Sequence, residues 1–161
     1  MTRRWVVNAS PIITLTKIGQ VDLLHQLCDD LVIPQGVADE IQGGGYDDPA
    51  TKWIQTHGQD YLRPAPSIDS VVASWDLGMG ESQVIAWSVA HTGYETILDD
   101  LAARKVASLL SITVRGTVSV IALAKQQGLI ASAREEYDKL ISVGFRISSD
   151  VIERALKLLG E

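Results

Sequence analysis

The chain has 161 residues, of which 46% are apolar and 21% charged, with a single cysteine and a formal net charge of −6. That length suits one domain with a sizeable core. The lone Cys28 excludes an intramolecular disulfide and suits a reducing compartment, and the acidity argues against a dedicated duplex-binding module, which needs clustered Lys and Arg. An acidic site that meets phosphate through bound cations is compatible with the same charge.

Trp5 to Val7 is a short apolar run, read as a strand, that ends at once in Asn8-Ala9-Ser10-Pro11. Arg3, Arg4 and that run mimic a signal start, but the polar residues interrupt it too early. No apolar stretch approaches the roughly 20 residues that span a bilayer, so a cytoplasmic protein with no membrane partner is expected. Ser10 is a good N-cap and Pro11 suits a first helical turn. Ile12, Ile13, Leu15 and Ile18 then give a helical face that Gly19 stops. Val21 to Leu27 reads as a second short helix, in which Cys28 is expected to be a buried structural thiol. Leu31-Val32-Ile33 is the next strand, closed by Pro34.

Pro34 to Ile41 reads as a helix with Val37 and Ile41 on its buried side and Glu40 beside them. Asp48-Pro49 caps and starts another, running through His57. Tyr61 to Ser67 carries Pro64 and Pro66 and is expected to be an extended connection. Leu77 to Glu81, LGMGE, is a glycine-punctuated entry to a helix with Val84, Ile85, Val89 and Trp87 at its apolar positions, ended by Gly93. Glu81 lies in its first turn, where the helix dipole favours a carboxylate even without function. The glycines match neither a P-loop nor a dinucleotide fingerprint.

Thr96 to Leu98 reads as a strand that stops at two adjacent carboxylates, Asp99 and Asp100. In a parallel sheet that turn lies at the edge where open α/β sheets place ligands, although capping of the helix from Leu101 to Leu110 is an equally ordinary use of such residues. Val106, Leu109 and Leu110 are expected to face inward, and Arg104 to pair with Asp100 four residues earlier. Ile112 to Val114 forms another strand, after which Thr117 opens a helix to Gln127. The last third, from Ser132, is helical: Tyr137, Leu140 and Ile141 face inward, Gly144 interrupts, and Ser148 or Ser149 caps a final helix with Ile152, Ala155, Leu156 and Leu159. His25, His57 and His91 do not cluster, and no Cys or His pair has zinc spacing.

With helices between the strands, parallel pairing through right-handed crossovers is expected. Asn8, Glu40, Glu81, Asp99 and Asp100 then gather near the carboxyl edge of one α/β layer. Clustered carboxylates repel one another unless a hard cation neutralises them, and oxygen ligands of this kind suit Mg²⁺ or Mn²⁺.

The order VVNASPIITLTKIGQVDLL, LVIPQGVADEI, GMGESQVIAWSVAHTGYETILDDLAARKVA and VRGTVSVIALAKQQGLI resembles the PIN-domain proteins, in a small prokaryotic branch of them, over nearly the whole chain. The resemblance implies a three-layer α/β/α sandwich with a central, mostly parallel sheet. It implies one PIN-like domain over residues 1–161, with a helical segment over 130–161 packed on it. It further implies a ribonuclease, dependent on Mg²⁺ or Mn²⁺, that cleaves single-stranded RNA. Such proteins are often the toxin of a toxin–antitoxin pair, so a small antitoxin protein and a homodimeric state are expected partners. Carried over residue by residue, Glu40, Glu81 and Asp99 are the catalytic acids. The metal-binding set is Asn8, Glu40, Glu81, Asp99 and Asp100, and Ser10 and Thr117 stand behind it as hydroxyl donors. The departure is Asn8, where the family has Asp: a carbonyl oxygen still meets a cation but brings no charge. Two classes of reading therefore stand side by side, a metal-dependent nuclease weakened at one ligand and a catalytically inactive module that binds RNA or protein. A different phosphate enzyme on the same layers is a third, since fold alone does not fix function.

Overall fold

A computed structural model describes residues 2–161. Five strands form one sheet: β1 (Arg4–Val7), β2 (Asp30–Pro34), β3 (Leu62–Arg63), β4 (Tyr94–Ile97) and β5 (Val114–Arg115), in the order β3-β2-β1-β4-β5 with every pairing parallel. The central strands read as near-continuous apolar runs because parallel strands are covered on both faces. Trp5, Val6 and Val7 are buried, as are Leu31, Val32 and Ile33. Both edge strands are two residues long, which limits the unpaired backbone they offer.

Ten α-helices accompany the sheet among the described residues. Helices α1 (Ala9–Lys17) and α2 (Leu23–Gln26) join β1 to β2, and α3 (Gln35–Gln42) and α4 (Pro49–Thr56) join β2 to β3. The return from β3 passes through α5 (Ser70–Ala73) and α6 (Met79–Ala90) into β4, and α7 (Leu101–Leu109) leads to β5. The strand order runs outward to β3, then reverses past β1 to β4 and β5, so right-handed connections place the two sets of helices on opposite faces. Helix α6 accordingly packs across β1, β2 and β4, and α8 (Thr117–Gln126) packs on α1 and α2. Helices α9 (Ala133–Ser142) and α10 (Ser149–Leu158) close on α8.

Side chains tie the strands laterally. The Trp5 indole N–H donates to Glu95 Oε1 at 3.0 Å, and the same oxygen accepts from Arg115 Nε at 3.2 Å, linking β1, β4 and β5. The Tyr94 hydroxyl donates to Asp30 across β1. Cys28 is half-buried against the core, and burial with the Asp30 and Asp29 carboxylates pushes its thiol up to about 12. That favours the inert thiol over the thiolate at neutral pH.

Several expectations need correction. Helix α1 starts at Ala9 with Asn8 at the N-cap position, so Ser10 lies inside the first turn and caps nothing. The 61–67 connection contains strand β3, too short and too proline-flanked to show a period. The last strand comprises Val114–Arg115 rather than Ile112–Val114. Val89, Leu109 and Ile141 are exposed, each on a part of its helix that no neighbouring element covers. Arg104 makes no ion pair with Asp100; its Nη1 donates to the Leu98 carbonyl at 3.0 Å.

The C-terminal helices are fastened by one side chain. Glu161 accepts from Ala133 N–H at 2.7 Å, from Ser132 Oγ at 3.0 Å and from Arg134 N–H at 3.3 Å, which satisfies the start of α9. The Ala133 bond foremost holds its carboxyl below the ordinary range. A depressed carboxyl pKa contributes stability above the unfolded pKa, lost as pH falls through the folded one. Glu161→Gln should therefore lower the melting temperature at neutral pH, and the difference from wild type should vanish in acid; calorimetric scans across pH read both.

Candidate functional site

The parallel register brings the ends of β1, β2, β4 and β5 to one edge, and the first turn of α6 returns to the same edge before descending into β4. A pocket of about 380 Å³ opens there, lined by Asn8, Ser10, Glu40, Glu81, Asp99, Asp100, Phe145 and Arg146. The structure thus brings together six of the seven residues singled out in the sequence. Thr117 lies just behind, bonded to Asp99. Phe145 and Arg146 are additions, contributed by the connection between α9 and α10. Nothing local in the sequence marked them, since their place depends on how the last helices dock.

Asp99 is the most constrained of the acids. Its Oδ1 accepts from the Thr117 N–H at 2.8 Å, and its Oδ2 from Thr117 Oγ at 2.6 Å and Ser10 Oγ at 3.4 Å. Gly116 holds the N-cap position of α8 and has no side chain to offer, so a carboxylate from the neighbouring strand end supplies the cap. Asp100 points differently: its Oδ2 accepts from Ala103 N–H at 3.0 Å and caps α7. Both ordinary capping uses of the pair are realised, one across strands and one local.

Glu40 and Glu81 arrive on α3 and α6, whose approach is set by glycine. A Cβ on Gly36 would lie 2.6 Å from the Gln83 side chain, whose Oε1 accepts from Gly36 N–H at 2.7 Å. A Cβ on Gly80 would meet Val37 Cγ2 at 3.3 Å and Asn8 Oδ1 at 3.4 Å. Glu40 is exposed and Glu81 half-buried. Burial first, then the Asp100 and Glu40 carboxylates, push the Glu81 carboxyl above its ordinary value. Like charges facing one another across the pocket are the physical signature of a place that favours a cation.

Asn8 is buried at 4% exposure, and its Oδ1 has no hydrogen-bond partner among the described residues. Its backbone N–H is satisfied by the Ile97 carbonyl at 3.1 Å, so the turn itself makes no use of the side chain. A buried acceptor left without a donor costs about 1–3 kcal/mol. Among the described residues, no group of three or more His, Cys, Asp or Glu side chains converges tightly enough to ligate one ion together. A closed all-protein cage is therefore not what the pocket offers. The all-oxygen donor set fits a hydrated Mg²⁺ or Mn²⁺ instead, held directly by one or two carboxylates and through water by the rest.

A family model described as a PIN domain matches residues 4–161. The chain belongs to the PIN-domain family. PIN domains are generally nucleases and typically use divalent metals, which is the chemistry an oxygen-lined acidic pocket suits. No curated protein and no solved structure matches the chain. Among the described residues, no helix is long and apolar enough to cross a membrane.

Two stability effects follow from this geometry. A carboxyl raised in the folded state binds its proton more tightly folded than unfolded, so ionised Glu81 opposes folding as pH rises above the ordinary carboxylate range. Glu81→Gln should raise the metal-free melting temperature at pH near 7, and the gain should fade below about pH 4, the ordinary carboxylate range. Thr117→Val removes a hydroxyl donor to a carboxylate from a fully buried position. Urea unfolding should register a loss of about 1.5 kcal/mol.

Proposed function

We propose that this PIN domain is a metal-dependent endoribonuclease that cleaves single-stranded RNA, with Glu40, Glu81 and Asp99 as its essential acids. The observation that carries this reading is the convergence of Glu40, Glu81, Asp99 and Asp100, from three separate stretches of chain, on a pocket also lined by Asn8, whose buried Oδ1 has no partner among the described residues. An unpartnered acceptor beside carboxylates is unfavourable against them and favourable against a cation. Asn8, Glu81 and Asp99 would hold Mg²⁺ or Mn²⁺, with Glu40 and Asp100 engaged through water. The ion, when bound, orients and acidifies a water and offsets the charge that develops on the phosphate.

The chain's own residues supply the rest. Ser10 and Thr117 fix the Asp99 carboxylate in one orientation, so its remaining lone pair is aimed rather than mobile. Asp100 is turned to the α7 cap through its Oδ2. The proposed role is the toxin of a toxin–antitoxin pair, restrained by a small antitoxin protein.

One feature favours the second reading, an inactive binding module: Asn8 contributes no charge where the family places Asp, which weakens any cation site. A single substitution separates the two. Asn8→Asp should raise Mn²⁺ affinity by calorimetry about tenfold or more, given the worth of one close opposite charge at a partly buried site, and should increase Mn²⁺-dependent cleavage of a mixed single-stranded RNA pool. It should also lower the metal-free melting temperature, because it adds a charge to a repulsive cluster, and added Mn²⁺ should restore it by preferring the folded state. Wild-type protein and Asn8→Asp that both bind no Mn²⁺ and cut no RNA would leave the binding module as the function of this domain.

A further inference from the structure

The acidic pocket does not end at its rim. Asp99, Phe145 and Arg146 are shared with a second depression that runs over Gly116 to Arg104. That depression shares Leu101 and Arg104 with a third, on the outer face of α7, reaching Lys105 and Leu109. The three join into one trough bounded by the start of α7, the start of α8 and the connection between α9 and α10.

Its chemistry reverses along its length. One end carries the carboxylates, while Arg146, Arg104 and Lys105 follow in turn, and none of these cations forms an ion pair among the described residues. In a chain of net charge −6, a run of unpaired cations leading away from an acidic pocket is a local inversion of sign. Arg104 stands against Gly116, where a Cβ would come within 2.6 Å of its Nη1. One donor is spent on the Leu98 carbonyl, and its other donors have no partner among the described residues. Between the cations the surface is apolar: Phe145 is half-buried beside Arg146, and Leu101 and Leu109 are 66% and 67% exposed.

A ligand that fits this alternation carries a negative charge at every repeat and a flat apolar face between charges. Single-stranded nucleic acid has that form, whereas in a duplex the base faces are stacked away. We propose that the trough is the path by which single-stranded RNA leaves the acidic pocket, with a base stacked on Phe145 and backbone phosphates met by Arg146, Arg104 and Lys105. This rests on the nuclease reading for the identity of the strand, and it adds the residues that position the strand. It also gives an acidic protein a track of unpaired cations along which to hold a polyanion.

The test is fluorescence anisotropy of an end-labelled oligouridylate with the 161-residue chain, in chelator so that no cleavage occurs, with a parallel cleavage assay in Mn²⁺. Phe145→Leu should weaken binding about tenfold, within the range expected for one stacked base, and Phe145→Tyr should restore it. The double variant Arg146→Gln/Lys105→Gln should reduce the slope of log affinity against log salt by about 1.4, two phosphate contacts on a single strand. Melting temperatures of the same variants, together with the Tyr rescue, separate loss of the platform from loss of the fold. Wild-type affinity and salt slope in both variants, or no binding by wild type, would overturn the path. Variants that shift a dimer to monomer while leaving oligouridylate binding intact would overturn it too, making the trough a contact between copies. Loss of Mn²⁺-dependent cleavage with the chelator-phase effects intact would overturn the catalytic reading alone and leave the path standing.

Discussion

One hydrogen-bonded carboxylate holds the carboxyl edge of the sheet in register with the helices above it. Asp99 leaves β4 and closes the start of α8, which itself leaves β5, so two neighbouring connections are locked through a single side chain. The lock needs a residue without a side chain at 116, because Asp99 Oδ1 and Arg104 Nη1 occupy the space a Cβ would take. The bare Gly116 therefore makes room at once for a carboxylate of the pocket and a guanidinium of the trough. Structural capping and positioning of charge are here one interaction rather than competing explanations of one residue.

The opposite wall depends on a different constraint, the close approach of α3 and α6. Gly36 and Gly80 let the two helices touch where larger residues would hold them apart, and Gln83 bonds the α3 backbone across the contact. Closeness also buries Glu81, and burial first, then the Asp100 and Glu40 carboxylates, raises its carboxyl. The fold thus spends packing energy to assemble groups that oppose one another, the usual arrangement where a protein carries function rather than stability.

Much of this architecture was legible in the residues. The apolar runs at Trp5 and Leu31, each ended by a helix-starting signal, gave the parallel layers, and Gly19, Gly128 and Gly144 adopt the positive φ that ends helices. Asp99, Asp100 and Glu81 were found because they stood at a strand end or in a first helical turn, while Glu40, near the end of its helix, was identified through the family resemblance. Other features were invisible for physical reasons. Strand β3 is two residues long and shows no period. Val89, Leu109 and Ile141 lie on helices whose rotation is fixed by neighbours distant in sequence. Phe145 and Arg146 sit at the pocket only because α9 and α10 fold back over α8, a tertiary fact with no local imprint. Gly80 read as helix punctuation, while its backbone lies against Val37 and Asn8 where a Cβ would crowd them.

That folding back gives the end of the chain an unexpected leverage. Glu161 bonds to the beginning of α9, so the α9–α10 hairpin is stapled at its open end, with Phe145 and Arg146 at its closed end. Opening of the stapled hairpin as one unit would be a subglobal unfolding event. A ligand held against Phe145 would suppress that opening, and amide hydrogen exchange throughout both helices would slow together. The groove wall and the terminal clasp are two handles on a single local equilibrium.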